Sequence, residues 1–204
     1  MAFLSAMRYA LILLYCCGTY EVIGQPPNCD LKRNADGIKV FTCKTENEKF
    51  KSLRAEFILE NTAVQELRDF LWNVNNYKTW QYNVMESEMV SSSNQDEMTY
   101  HALIHAPWPV ENRELLVRMV VANEAAITHI AIHSITNDLA PPEGVVRVPL
   151  FDALWSVVIT GTTLQVTYTL RIDPGGAVPA WLANIAMADG PLISFRNLKK
   201  QLVK

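Results

Sequence analysis

The sequence predicts an α+β fold in which a long antiparallel sheet curls around a helix at the C-terminal end. Three observations carry this. The apolar spacing is period two up to Leu59, helical around Val64 to Val74, period two again through Ile172, and helical once more from Pro179. Turn-forming clusters interrupt the long middle stretch, at Thr160-Gly161 for instance, which makes a meandering antiparallel sheet the economical reading. Half of the 204 residues are apolar, enough for one sizeable core.

The elements follow in order. After a polar, Pro-containing lead over 25–28, Asp36-Gly37 is a turn signal, and Ile38, Val40 and Phe41 begin a strand. In a second strand Leu53, Ala55, Phe57 and Leu59 alternate with Ser52, Arg54, Glu56 and Glu60, the pattern of a sheet with one wet face. A helix follows, with Val64, Leu67, Phe70, Leu71 and Val74 on one side and Thr62 as its N-cap. Strands are then predicted over 84–90, 98–105, 115–121, 127–135, 145–148, 154–159 and 164–172, with 91–94 and 137–144 read as turns or loops. In the tail, Pro179 suits a first helical turn, Leu182, Ile185, Leu192, Phe195, Leu198 and Leu202 recur at helical spacing, and Arg196, Lys199, Lys200 and Lys204 favour the helix dipole. A sheet this long must curl, and the terminal helix is the object for it to grip.

Strand parity assigns the faces. Met98, Tyr100, Ala102 and Ile104 point inward and Thr99, His101, Leu103 and His105 outward. Likewise Leu115, Val117, Met119 and Val121 point in with Arg118 out, and Val166, Tyr168, Leu170 and Ile172 point in with Thr167, Thr169 and Arg171 out. The inferred lining is apolar apart from two tyrosine hydroxyls. Such an interior is either a filled core or a cavity, and residue pattern alone leaves both open.

The formal charge of -3 supplies no field that would draw nucleic acid. No Gly-x-Ser-x-Gly, phosphate-cradling glycine loop or Gly-x-Gly-x-x-Gly stands in a fitting context. His101 and His105, and His129 and His133, are spaced as metal ligands would be on a helix. On strands, at about 3.3 Å per residue, each pair is about 13 Å apart, so these histidines read as outward and solvated and no metal is predicted. Arg147 and Asp173 read as structural, through backbone hydrogen bonds, a salt bridge or a cap. Trp80, Trp108 and Trp181 read as packing anchors, and Trp108 or Trp181 near an opening would also suit transient contact with a membrane surface.

The first residues have the layout of a cleavable signal peptide over 1–24: Arg8, an apolar stretch from Tyr9 to Cys17, and Val22-Ile23-Gly24 before Gln25. The apolar stretch is about half of the roughly 20 residues a membrane-spanning helix needs. The expectation is export, to the periplasm or exterior, with cleavage near Gln25 and one domain over 25–204. Cys16 and Cys17 would leave with the leader. Cys29 and Cys43 would remain, and an oxidising compartment permits either a disulfide or two half-buried thiols.

Several runs are similar to the START domain of the broad superfamily that also holds Bet v 1-like proteins and polyketide cyclases. They are Asp36-Gly37-Ile38-Lys39-Val40, Tyr77 with Trp80, the run Ala106-Pro107-Trp108-Pro109-Val110-Glu111-Asn112-Arg113-Glu114, Val146-Arg147, Trp155, and Asp173-Pro174-Gly175-Gly176 before Pro179-Ala180-Trp181-Leu182-Ala183-Asn184. The resemblance runs from about Asp30 to the C-terminus. It implies a helix-grip fold, with a lipid or sterol-like molecule held without a cofactor between the sheet and the terminal helix of a monomer. It adds Phe57, Trp155, Leu182 and Ile185 to the inward residues that would surround that ligand, and it puts Pro141, Pro142, Gly175 and Gly176 at the entrance. Certain sterol-binding members hold an acidic and a basic side chain in the cavity. The matching positions here are Tyr100 and Met119, so a tyrosine hydroxyl, from Tyr100 or Tyr168, would meet the polar group of the ligand instead. Two other functions fit the same residues: a cyclase- or hydrolase-like enzyme using Tyr100, Tyr168 or an inward-turned histidine as acid or base, and a solid interaction module for another exported protein.

Overall fold

The computed structural model describes residues 28–44, 52–135 and 140–202. The expected leader over 1–24 and its expected cleavage near Gln25 therefore lie outside the described residues. Strands β1 (Cys29–Ala35) and β2 (Ile38–Cys43) form a hairpin closed by Asp36 and Gly37, whose φ angles are 55° and 70°. Two successive left-handed residues match the twist of the flanking strands, which is why Asp-Gly suits the position. Strand β1 has no counterpart among the strands the sequence predicts. Five of the seven residues of β1 are exposed, so this edge strand has no alternating signal to read. At its open end the cross-strand partners Cys29 and Cys43 are joined by a disulfide, which resolves the choice between bond and free thiols.

Strand β3 (Ser52–Glu60) buries Leu53, Ala55, Phe57 and Leu59, as the alternation requires. Helix α1 (Val64–Trp72) buries Leu67 and Leu71. Its N-cap is Ala63 rather than Thr62: the Glu66 carboxylate accepts the Ala63 N–H at 2.8 Å, and the Thr62 hydroxyl turns back to donate to the Glu60 carbonyl at 3.0 Å. A 3-10 turn (Val74–Thr79) leads on to the buried Trp80.

Among the described residues seven strands follow: β4 (Val84–Asn94), β5 (Glu97–Ile104), β6 (Asn112–Glu124), β7 (Ile127–Ser134), β8 (Val145–Arg147), β9 (Leu150–Thr160) and β10 (Thr163–Asp173). Residues 91–94, read as a turn, are the end of β4. That strand is at the sheet edge and exposed from Glu88 onward, so its serines cost no burial. β6 and β9 begin earlier than the apolar pattern does, because Asn112, Arg113 and Glu114 and the stretch from Leu150 to Ala153 do not alternate cleanly.

The strand order is β1-β2-β3-β10-β9-β7-β6-β5-β4, with antiparallel neighbours along the whole path. β8 departs from the all-antiparallel expectation: it pairs parallel to the start of β6, Asn112 opposite Val145. Helix α1 and the 3-10 turn carry the chain from β3 to the opposite edge, from which the meander returns to lie beside β3. The sheet curves around helix α2 (Ala180–Leu202), giving the predicted α+β helix-grip architecture.

Candidate functional site

The site is the concave face of the sheet with α2 laid across it. Met98, Tyr100 and Ala102 of β5 are buried, as are Leu115, Val117, Met119 and Val121 of β6 and Val166 and Tyr168 of β10. Parity therefore assigned this face correctly. Cross-strand pairing sets Met98 against Met119, Tyr100 against Val117 and Ala102 against Leu115. Ile104, Leu170 and Ile172, nearer the strand ends, are only half-buried, and so is Leu182 of α2. The side chains of Ile185 and Trp181 fall outside the described residues.

A second group gathers around a residue that had been read only as part of the helical stripe. The Phe195 ring of α2 stacks on Phe57 at 4.9 Å between centroids and meets Trp155 at 5.5 Å and Tyr168 at 5.3 Å edge-on. Trp155 and Tyr168 are themselves 5.0 Å apart. Edge-to-face contacts of this kind add to the area that the rings bury.

Three buried tyrosines, two of them members of these groups, carry phenol hydroxyls in this interior. Tyr77, on the 3-10 turn, donates to the Leu71 carbonyl at 2.6 Å, and its ring meets Tyr100 edge-on at 5.5 Å. Burial pushes the Tyr77 phenol well above its ordinary range, reinforced by Tyr100 and Tyr168. Burial likewise raises Tyr100, with the neighbouring Tyr77 hydroxyl opposing the shift, and burial and then the neighbouring Tyr100 raise Tyr168. All three stay neutral at physiological pH.

One charged residue shares the inward parity of β6. Arg113 is buried, and its guanidinium donates to the Pro174 carbonyl at 2.9 Å, to the Gly175 carbonyl at 3.0 Å and to the Glu111 carbonyl. Burial lowers its pKa, with Glu111 opposing. Sequence reasoning missed this role, because 112–114 had been read as a motif rather than as strand. Extending the β6 parity back by one step would have found it. Gly175 needs its glycine: φ is +68°, and a Cβ would stand 3.1 Å from Pro149 Cδ and Val146 Cγ1. Gly175 and Gly176 are thus packed against β8 and held by Arg113. Asp173 caps the same corner by accepting the Gly175 N–H at 2.9 Å. Pro141 is half-buried and Pro142 exposed, while 136–139 of the facing loop lie outside the described residues.

The histidines are on the outer face, as predicted, but three of them are paired rather than simply solvated. His101 Nε2 lies 3.1 Å from the buried Glu114 carboxylate, which Arg147 also engages at 2.7 Å. His133 meets Asp152 at 2.9 Å and His129 meets Ser156 at 3.2 Å. Trp80 is a buried anchor, its carbonyl accepting from Asn197 of α2 at 3.3 Å. Trp108 is not an anchor: it is 90% exposed in the loop before β6. The two prolines beside it keep the loop out of the sheet, so its ring has no core to enter.

A sheet gripping one long helix over an uncharged aromatic face defines a hydrophobic-ligand-binding architecture. The chain belongs to the START domain family, whose sequence model matches residues 38–199, and this family binds lipids and other hydrophobic ligands. It is 27% identical to an uncharacterised protein of Pseudomonas aeruginosa over 85% of this chain and 86% of that one. Among solved structures, it is similar to the STAR-related lipid transfer protein (fragment 25–204) from Xanthomonas axonopodis, with 26% identity, a TM-score of 0.77 and coverage of 86% and 98% of the two chains. Human StAR-related lipid transfer protein 5 shares the fold at 15% identity, with a TM-score of 0.72 and 88% of each chain covered.

Proposed function

We propose that the protein is an exported lipid carrier or binder that takes one hydrophobic molecule between the concave face of its sheet and α2, without transforming it. The observation that carries this reading is the continuous inward face from Met98 to Tyr168, uncharged between its rim at Arg113 and its far end at Val121. Phe57, Met98, Tyr100, Ala102, Ile104, Val117, Met119, Trp155, Val166, Tyr168, Leu170, Leu182 and Ile185 would contact the ligand. Burying about 300 Å² of it would contribute about 7 kcal/mol at roughly 25 cal/mol per Å², before ordering costs. Entry would pass between the loop bearing Pro141 and Pro142 and the corner at Gly175 and Gly176, with exposed Trp108 touching the donor membrane. The chain would act as a monomer, released by cleavage near Gln25.

The test is uptake from vesicles. The protein is incubated with liposomes made from a total bacterial lipid extract and separated by gel filtration, and bound lipid is counted. About one lipid per protein supports the reading. Protein that elutes without lipid after long incubation refutes it. An N-terminal sequence of the exported form that begins well away from Gln25 would separately remove the cleavage assignment.

A further inference from the structure

Exposure falls in one direction along β10 and α2. On the inner face of β10, read away from the Pro174 and Gly175 corner, Ile172 and Leu170 are half-buried, Tyr168 is 9% exposed, and Val166 and Leu164 are each 2% exposed. Helix α2 shows the same gradient from its own start: Leu182 and Met187 are half-buried, Leu192 is 8% exposed, Phe195 3% and Leu198 0%. The two gradients meet where Phe195 stacks on Phe57 and touches Trp155 and Tyr168 edge-on. Just ahead of that level the chain also closes on the helix from both sides. A Cβ at Gly190 would stand 3.2 Å from Tyr82 Cδ1, so the glycine lets the Tyr82 ring lie close against α2, and the Tyr82 N–H donates to Ser194 Oγ at 2.9 Å. From the other side Arg33 reaches Asp189 at 2.6 Å. Past the Phe195 ring, Leu59, Leu164 and Leu198 are packed as core.

We infer that Phe195 is the floor of the ligand space and sets how much of a lipid chain is buried: the chain enters tail first at the corner and stops against Phe195, Phe57, Trp155 and Tyr168. This rests on the lipid-binding reading above and adds the residue that selects chain length. Tyr168 lies five residues from Asp173 at the corner, about 17 Å of strand, and an extended alkyl chain advances about 1.3 Å per carbon; with the Tyr168 ring taking part of that depth, about ten to twelve carbons fit. Longer chains leave their remaining carbons at the corner and gain nothing from them. The Phe57 and Phe195 rings offer only carbon, so a polar head driven against them would lose its water without gaining a partner, whereas at the corner it keeps its water.

The test measures dissociation constants of the full chain for saturated 1-alkanols and alkanoates of six to sixteen carbons, each below its solubility limit, by displacement of an environment-sensitive naphthalene dye. Each methylene buried should tighten binding about fourfold until the tail reaches the floor, after which added carbons should change nothing. In the wild type the break should fall at about ten to twelve carbons. Phe195→Ala should move it about three carbons further, and Phe195→Leu, which keeps more of the packing, about one or two. Leu198→Ala loosens the helix on the far side of the floor and should leave the break where it is. Binding that keeps tightening to sixteen carbons in the wild type overturns the floor, as does a break that both Phe195 variants leave in place or that Leu198→Ala moves as far as they do. Failure of every chain to displace the dye from the wild type counts instead against lipid binding itself, and the floor falls with it.

Discussion

The two halves of α2 meet the rest of the molecule differently. In the later half Ala188, Leu192, Phe195 and Leu198 are buried, and polar ties surround them: Asp189 to Arg33 at 2.6 Å, Arg196 to Asp36 at 2.5 Å, and the Ser194 hydroxyl accepting the Tyr82 N–H at 2.9 Å. In the leading half Leu182, Ala183 and Met187 are half-buried and Ala186 is exposed, and the approach to it is held by Arg113 at the Pro174 and Gly175 carbonyls and by Asp173 at the Gly175 N–H. The same apolar stripe runs through both halves, so the difference comes from the partners that the rest of the fold supplies. The later half has the β1–β2 hairpin and the aromatic group beneath it, and it is core. The leading half follows the Gly175–Gly176 corner, where the proposed ligand would enter.

The widest gap between the halves should come from truncation. Phe195→Ala removes a ring from a filled aromatic group and should cost about 3–5 kcal/mol in denaturant unfolding, whereas Leu182→Ala, half-exposed, should cost less than about 1.5 kcal/mol. Equal costs would erase the distinction. Replacing Cys29 and Cys43 together by serine should cost about 3 kcal/mol by freeing a loop of that size in the unfolded chain. Because Asp36 holds Arg196 and Lys199, hydrogen exchange should rise in the later half of α2 and not in the leading half. Arg113→Met tests the opposite end. Leaving the Pro174 and Gly175 carbonyls without their donor should cost about 2 kcal/mol and raise exchange over 174–187 while leaving 188–202 protected.

Alkaline pH acts on the shared interior. The folded pKa values of Tyr77, Tyr100 and Tyr168 are raised above the ordinary value near 10, so between those values the folded state retains protons that the unfolded state has lost. Stability should therefore be intact below about pH 10 and fall above it, by up to about 1.4 kcal/mol per pH unit for each tyrosine, as urea midpoints would show. The smallest effect is at Trp108: Trp108→Ala should shift stability by less than about 0.5 kcal/mol yet reduce co-sedimentation with anionic vesicles. A large loss of stability would mean that the indole packs somewhere in solution.

Most of the fold was legible because burial on one face writes period two into a strand. Met98, Tyr100 and Ala102 announce their face without help, and Leu53 through Leu59 do the same. Legibility failed where that physics is absent. β1 and the end of β4 are edge strands wet on both sides, and β8 is three residues long, held by parallel pairing to β6. In the candidate site the side chains were readable but their partners were not. The Tyr77 to Leu71 bond and the Arg113 hold on Gly175 join residues brought together by turns and by the meander's return, which no local pattern encodes. Glu114, buried between His101 and Arg147 on the outer face, belongs to the same class.

Whether a hydrophobic molecule occupies the space between the concave face and α2 is settled by native mass spectrometry of the full chain purified without detergent. The expected result is a discrete mass increment matching one lipid per protein, recovered by organic extraction and lost when Met119→Glu places a charge on the inner face. A bare protein mass that persists after incubation with mixed lipids would contradict it.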